Sequence, residues 1–394
     1  MRIEDTDKKR EVAGGVDEIK SLLSTFNISW DEYYIQSERL SLYKEAAEKL
    51  VKDGHAFYCE CKAKNAKEEG FSKDLRDPCR EKGLTEGAIK LKVPESEQIS
   101  FTDFVLHKEV AWDTSSVGDA TLLKSDGFPT YHLAVVVDDN DMQISHVLRG
   151  HDWMPSTPIH LLVYKYLGFS VPEIGHLTDI LDPMGGKLSK RKGSTSVTGL
   201  LADGYLQQAL FNFVILLGWA PKDNRELFGL SEFVEAFDPM GFQTSNPTFN
   251  RDKLDWFNGH YIRGKSDDEL IKLTVPYLKD SDDSIHRKII PLIKDRIKKL
   301  SDIKSFAGFF FERPDVDKKL FGKNYIEHLG KALDAIKNSI PLDEIPKKNN
   351  FKVGDFFMDL RIAITGSKFT PPINESIEIL GKEETFARLE AILE

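Results

Sequence analysis

Apolar residues recur every three or four positions over residues 16–26 (Val16, Ile19, Leu22, Leu23, Phe26) and again over 40–52 (Leu42, Ala46, Ala47, Leu50, Val51). That spacing predicts two amphipathic helices. Short runs at 56–59, 88–93 and 121–124 read as strands. Residues 130–137 are almost continuously apolar, the pattern expected of a central parallel strand covered on both faces. Residues 156–167 are helical in pattern, and Pro183-Met184-Gly185-Gly186 marks a tight loop. Beyond Val197 helical spacing dominates, at 205–217, 230–236, 252–261 and 267–278. Residues 63–83 are polar, charged and broken by Pro78, so they read as an insertion. The first residues, Met1-Arg2-Ile3, resemble the end of a strand. The pattern therefore predicts an α/β front part interrupted by an insertion, followed by an all-helical back part.

Composition narrows the class. With 394 residues, about two to four domains are expected. A net charge of −10 excludes a simple basic nucleic-acid binder. No apolar run approaches the ~18 residues of a membrane span, and no secretory leader pattern opens the sequence. Three cysteines fit a reducing cytoplasm better than a disulfide framework.

The acidity is uneven. Residues 267–394 hold 22 Lys and Arg against 23 Asp and Glu, so nearly all the excess lies in the first 266. Within that near-neutral tail, residues 287–304 carry seven basic side chains opposed only by Asp295 and Asp302. Ile289, Ile290, Ile293, Ile297 and Leu300 fall at helical spacing, which predicts a helix with its lysines outward. Such a face is either plainly solvated or tracks phosphates.

The segment Lys187-Leu188-Ser189-Lys190-Arg191-Lys192-Gly193 places four cations and a hydroxyl in six residues after a Gly-Gly turn. It suits gripping nucleotide phosphates and neutralising charge that develops in phosphoryl or nucleotidyl transfer. It lacks the P-loop spacing. Taken singly, each other candidate has a plainer reading. Glu4 with Asp5 and Asp7 could be an acidic helix start, Tyr131 strand packing, Arg149 a surface ion pair and Trp153 core.

Together they form a series. Arg2-Ile3-Glu4-Asp5-Thr6-Asp7 is followed by Tyr131-His132-Leu133-Ala134, by Val147-Leu148-Arg149-Gly150-His151-Asp152-Trp153, and then by Lys187-Leu188-Ser189-Lys190-Arg191. In that order and at those separations they resemble the glutamyl-tRNA synthetase family of class I aminoacyl-tRNA synthetases, of the bacterial or organellar type. The resemblance runs to the C-terminus, through Leu360-Arg361-Ile362-Ala363-Ile364-Thr365-Gly366 and Glu378-Ile379-Leu380-Gly381-Lys382. It implies an α/β fold: an incomplete Rossmann-type catalytic domain (1–43 and 131–184) with a connective insertion (44–130). All-α stem-contact (185–266) and anticodon-binding (267–394) domains would follow.

The implied reaction joins L-glutamate to ATP, with Mg2+, as glutamyl-adenylate, then passes the acyl group to tRNA-Glu. Arg2 and Glu4 would border the amino-acid pocket, with Glu4 on the substrate's α-ammonium. Tyr131 would touch the substrate, and Arg149 would pair with its γ-carboxylate, a task suited to a planar guanidinium. Trp153 would lie near the adenosine. Lys187, Ser189, Lys190 and Arg191 would form the loop that stabilises departing pyrophosphate. Arg296 and Arg361 would contact tRNA. A monomer without a membrane partner is the family expectation.

Two departures stand out. Family members carry an H-I-G-H-type signature upstream of R-I-E-D-T-D, and this sequence begins at the latter motif. Since the other pocket residues are intact, a truncated start is expected rather than a start supplied by another chain or decay to a non-catalytic tRNA-binding relative. Second, Cys59-x-Cys61 sits where some members begin a zinc site, but Cys79 follows after 17 residues and Glu81 stands two beyond it. Cys59, Cys61 and Cys79 with Glu81 make an unusual zinc set, so a reduced remnant is expected in preference to zinc.

Overall fold

The computed structural model describes residues 1–7, 12–61, 75–188, 196–278 and 283–394. The chain divides into two compact units, Met1–Ser189 with Val214–Phe249, and Lys190–Phe213 with Asn250–Glu394.

The first unit is α/β. Strand β1 (Arg2–Ile3) lies parallel to β2 (Tyr34–Ile35), with helix α1 (Gly15–Thr25) between them in sequence and α2 (Leu40–Lys52) following. Both helices fall where the apolar spacing places them. Strands β3 (Ala56–Cys59), β4 (Ala88–Leu91) and β7 (Thr121–Leu123) form an antiparallel sheet in the order β3-β4-β7. A second sheet has the order β6-β5-β9-β8, from β5 (Gln98–Asp103), β6 (Lys108–Asp113), β8 (His146–Gly150) and β9 (Glu173–Leu177). Its β5–β6 pair is antiparallel, whereas β5–β9 and β8–β9 are parallel.

One element expected as a strand is helical. The apolar run expected as a strand at 130–137 is part of a helix, α3 (Tyr131–Asp141). Leu133 to Asp139 are buried without a break, so the run shows neither helical nor strand periodicity. A short run of this kind fits a buried helix as well as a buried strand. Thr130 is extended and Tyr131 begins the helix. Helix α3 is central: it packs against α2 and α4 (Thr157–Leu167). Tyr43, Leu50, Leu91, Leu122, Leu133, Val136, Leu162 and Val163 belong to the core around it.

Two consecutive carboxylates, Asp138 and Asp139, are buried on this helix. Asp138 accepts from Gln36 Nε2 (2.9 Å), Arg39 Nε (3.0 Å) and Tyr43 hydroxyl (2.8 Å). These bonds tie the 3-10 turn after β2, the start of α2 and α3 together and satisfy a charge that burial would otherwise penalise.

The second unit is helical. Its helices start on recognisable caps: Asn250 accepts from Lys253 N (3.1 Å), and Ser266 and Glu269 cap one another. Phe356, Leu360, Leu329, Ala332 and Leu389 are fully buried in the C-terminal core. The predicted basic helix over 287–304 is interrupted. It is helical over Asp283–Ile293 and again over Ile303–Ala307, with a 3-10 turn at Leu300–Asp302. The break follows Pro291, and Asp302 caps the backbone N–H groups of Lys298 and Lys299 at 2.9 and 2.8 Å. The five apolar residues of the stretch are buried as their spacing predicts. Among the described residues no helix is long and apolar enough to cross a membrane.

Candidate active site

Strand register builds the first part of the site. Arg149 on β8 lies directly beside His176 on β9, and β5 ends nearby at Asp103. His176 Nδ1 is 2.7 Å from Asp103 Oδ2. The other carboxylate oxygen of Asp103 accepts from the backbone N–H groups of Val105 and Leu106, each at 3.0 Å, and of His176 at 3.3 Å. Gly175 makes this approach possible, because a Cβ there would fall 2.6 Å from Val105 Cγ2 and 2.7 Å from Phe104 Cε1.

Three side chains then hold the Arg149 guanidinium. Its Nε donates to His176 Nε2 (3.0 Å), Nη1 to His160 Nδ1 (2.8 Å) and Nη2 to Thr157 Oγ1 (2.7 Å). Thr157 and His160 stand on the first turn of α4. His160 Nε2 lies 3.0 Å from His132 Nδ1 on α3. Burial, reinforced by Arg149, lowers the pKa of His132 to about 4, and burial with its charged neighbours holds His160 well below its ordinary value. Burial also lowers that of His176, although Asp103 opposes the shift. All three imidazoles are therefore neutral near pH 7. Among the described residues Arg149 has only neutral partners and no carboxylate. A half-buried cation without counter-charge is poised to take an anion.

Tyr131 connects this group to the N-terminal strand. Its ring stacks at a tilt on Trp153, with centroids 4.1 Å apart, and meets His160 edge-on at 5.5 Å. Burial raises its pKa; Arg149 acts against that rise, and Glu4 and Asp139 add to it. Arg149 and Glu4 thus act electrostatically on one phenol. Trp153 is 39% exposed, which leaves a ring face available beside the cluster.

Arg2 is placed differently from a free pocket residue. Its Nη1 donates to Asp139 Oδ1 (2.7 Å), and its Nε and Nη2 to Glu4 Oε1 (3.2 and 2.9 Å). Tyr164 hydroxyl donates to the second oxygen of Asp139 at 3.1 Å. Arg2 therefore orients Glu4, of which one oxygen is engaged.

Lys187 follows the tight turn at Pro183 to Gly186 and pairs with Asp152 (2.5 Å) and Asp179 (2.9 Å), which raise its pKa in that order. It is thereby tied to the turn that carries Trp153. Ser189, Lys190 and Arg191 lie outside the described residues.

No sequence motif marks Asp103, Thr157, His160 or His176, and His132 stands in one only as the neighbour of Tyr131. The available signal was a histidine inside an apolar strand, Ile174-Gly175-His176-Leu177, and a Thr-Pro-x-His helix start. Both also fit satisfied core residues.

In the helical unit, Arg296 Nη1 donates to the carbonyl of Thr370 at 3.2 Å. Arg361 has its pKa lowered by burial and by repulsion from Arg296, and its Nε is buried without a hydrogen-bond partner among the described residues. Phe369, next to Thr370, is 80% exposed. Two neighbouring guanidiniums, one of them bonded to the residue that follows an exposed aromatic ring, are groups suited to an unstacked base or a phosphate.

The cysteines converge. Cys59, Cys61, Cys79 and Asp77 place their donor atoms within 4.8 Å of one another. Cys61 and Cys79 sulfurs are 3.5 Å apart, and Cys59 sulfur is 3.4 Å from Asp77 Oδ2. The carboxylate in the cluster is Asp77. Glu81, expected there from sequence, instead pairs with Lys92 at 3.0 Å. Sequence spacing pointed downstream of Cys79, but the turn folds Asp77 onto Cys79 N (2.8 Å) and sends Glu81 outward. Four converging donors, three of them thiols, with Lys90 Nζ 2.6 Å from Asp77, fit a zinc ion by number and type.

Comparison with known proteins agrees across the whole length. The family model for tRNA synthetases class I (E and Q), catalytic domain, matches residues 1–256, and that for an anticodon binding domain matches residues 269–393. A glutamate–tRNA ligase of Dehalococcoides mccartyi strain 195 is 39% identical over 436 aligned positions, covering 99% of this chain and 89% of the relative. One from Treponema denticola is 34% identical over 462 positions, covering 99% and 91%. The crystal structure of an Elizabethkingia meningosepticum glutamate tRNA ligase in complex with its amino acid superposes with a TM-score of 0.83 at 28% identity. It covers 100% of this chain and 91% of that one.

Proposed function

The chain belongs to the class I tRNA synthetases (E and Q), and we propose that it attaches L-glutamate to tRNA-Glu through a glutamyl-adenylate, using ATP with Mg2+. The observation that carries this reading is Arg149: an oriented guanidinium with three neutral partners, beside an aromatic pair and within electrostatic reach of Glu4. Arg149 takes the γ-carboxylate and Glu4, oriented by Arg2, takes the α-ammonium. Tyr131 packs against the bound amino acid and Trp153 against the adenosine.

The substrate's α-carboxylate oxygen attacks the α-phosphorus of ATP, and the bond to the β-phosphate's bridging oxygen breaks. Lys187, Ser189, Lys190 and Arg191 stabilise the departing pyrophosphate. The terminal hydroxyl of the tRNA then attacks the mixed anhydride and AMP leaves. No protein nucleophile is needed, so rate comes from positioning and charge stabilisation.

Arg296 and Arg361 contact the tRNA. Cys59, Cys61, Cys79 and Asp77 hold a structural zinc that ties the insertion together. The protein works in the cytoplasm as a monomer.

Glutamate-dependent exchange of radiolabelled pyrophosphate into ATP, followed by charging of tRNA with labelled glutamate, tests the reading. Exchange and charging with glutamate are expected. Binding of tRNA with neither activity would instead identify a non-catalytic tRNA-binding relative. Arg361→Leu should weaken tRNA binding roughly ten-fold and leave exchange unchanged.

A further inference from the structure

The contacts of Arg149 fix more than its position. A guanidinium has only donors, so each nitrogen it touches must be an acceptor. His176 Nε2 accepts from Arg149 Nε, which places the His176 proton on Nδ1, where it is donated to Asp103. His160 Nδ1 accepts from Arg149 Nη1, which places its proton on Nε2, where it is donated to His132 Nδ1. His132 then carries its proton on Nε2. One tautomer of each ring satisfies the whole chain of contacts, and the end of that chain is Asp103, which is fully buried.

We propose that Asp103 is a positioning residue for amino-acid recognition: by imposing the Nδ1–H tautomer on His176 it keeps Arg149 oriented and unpaired, so that the pocket selects a carboxylate over a carboxamide. A carboxylate placed directly on Arg149 would orient it equally well but would neutralise it. Placing the acid one ring away gives the orientation without the neutralisation. Asp103 is also fixed independently of the His176 ring, because its Oδ1 accepts the backbone N–H groups of Val105 and Leu106 and, more weakly, that of His176. The geometry of the relay stands by itself; its purpose rests on the glutamate reading above.

The substitution Asp103→Asn separates this role from simple structural support. The three backbone donors hold the amide oxygen in the Oδ1 position, so the amide nitrogen faces His176 Nδ1. That nitrogen donates to Nδ1 and drives the ring proton to Nε2. Two donors, His176 Nε2–H and Arg149 Nε–H, then oppose each other. The same logic describes a triad aspartate changed to asparagine, where the geometry persists and the tautomer is wrong.

Long-range proton–nitrogen NMR on histidine-labelled protein at neutral pH reads the tautomers directly. The unsubstituted chain should show His176 protonated on Nδ1 and His160 on Nε2; either ring reversed or cationic overturns the proposal without any variant. Asp103→Asn should move the His176 proton to Nε2. It should raise the Kd for L-glutamate roughly ten- to hundred-fold, leave the Kd for L-glutamine nearly unchanged and so narrow the preference between them. ATP affinity should stay near that of the parent, and the thermal midpoint should fall by no more than a few degrees, the cost of one unsatisfied buried donor. Equal losses for glutamate, glutamine and ATP would mark general damage and overturn the positioning role, as would an unchanged glutamate Kd. A parent chain that binds no glutamate would reject the glutamate reading alone, because the NMR test of the relay would still stand.

Discussion

Arg149 and the arginines facing α3 are built from the same side chain and belong to the same unit, yet their charges are treated in opposite ways. Arg2 is paired with Asp139 at 2.7 Å and Glu4 at 2.9 Å. Arg39 is paired with Asp138 at 3.0 Å and with Asp141. For both, burial is the largest single influence and opposes the charge, but the paired carboxylates outweigh it and hold the guanidinium more firmly protonated. Among the described residues Arg149 donates to two imidazole nitrogens and a hydroxyl and meets no carboxylate. The carboxylate-paired arginines hold the α/β unit together; the arginine with neutral partners keeps its charge for a ligand. This difference, more than burial or sequence position, separates architecture from site.

The largest expected effect comes from removing the unpaired cation. Arg149→Ala should cost about 2–5 kcal/mol of glutamate binding, roughly thirty-fold to several-thousand-fold in Kd. The fold should lose little, because no carboxylate is stranded among the described residues. Titration calorimetry with glutamate, alongside a denaturant melt, checks both halves. If stability falls more than binding, Arg149 is architectural and the contrast is lost.

The reverse result is expected on α3. Asp138→Ala strands the buried Gln36 amide, the Tyr43 hydroxyl and the Arg39 guanidinium. Breaking such a group typically costs about 3–5 kcal/mol. A urea melt should show that loss, while glutamate affinity of the remaining folded protein stays close to the parent's. A glutamate Kd that rises as steeply as for Arg149→Ala would make Asp138 part of the site.

The same contrast explains what could be read from sequence. Arg149, Tyr131, Trp153 and Glu4 were legible because they sit in short motifs, and the structure brings them together around one phenol. Arg2 was legible as a neighbour of the pocket, but its pairing with Asp139 depends on α3, which the apolar run had suggested to be a strand. Asp103, His160 and His176 were not legible, because their partnership exists only through the register of three strands and the first turn of α4. Local pattern carries an amphipathic helix such as α2; it does not carry which residues of separate strands stand side by side. Asp77 was missed for a related reason. A turn, rather than linear spacing, decides which carboxylate faces the thiols.

A smaller effect distinguishes the two arginine environments by pH. His132 faces His160 from α4, Arg149 from β8 and the ring of its neighbour Tyr131; His160 and His176 add Asp103 from β5 and His151 to the charged or titratable surroundings. The native pKa of His132, about 4, lies below its ordinary 6.5. Between those values the unfolded chain binds a proton that the native chain refuses, so stability is full above pH 6.5 and falls as the pH drops towards 4. Protonation of these rings also removes acceptors from Arg149. Glutamate affinity of the folded chain should therefore stay flat through pH 6.5 and weaken only as the pH approaches about 4, whereas stability falls across the whole interval between those values. Binding that strengthens on acidification would show that the histidines supply charge rather than acceptors.

The smallest effect on the amino-acid pocket should come from the thiol cluster, which lies in the insertion. If Cys59, Cys61, Cys79 and Asp77 form one ligand set, elemental analysis should find one zinc per chain. Asp77→Asn should then weaken retention of the metal against a chelator, by about 10–100-fold on the scale of altered ligation shells. Glu81→Gln should have no such effect, since Glu81 points to Lys92. The two variants discriminate sharply because both carboxylates lie within two residues of Cys79, one before it and one after. Equal sensitivity of the two would show that the turn does not select the ligand, and absence of zinc from the parent chain would return the cluster to a reduced remnant. In either case glutamate affinity should be unaltered, because the Arg149 cradle draws its partners from β5, β9 and α4 and none from the cysteine-bearing segments.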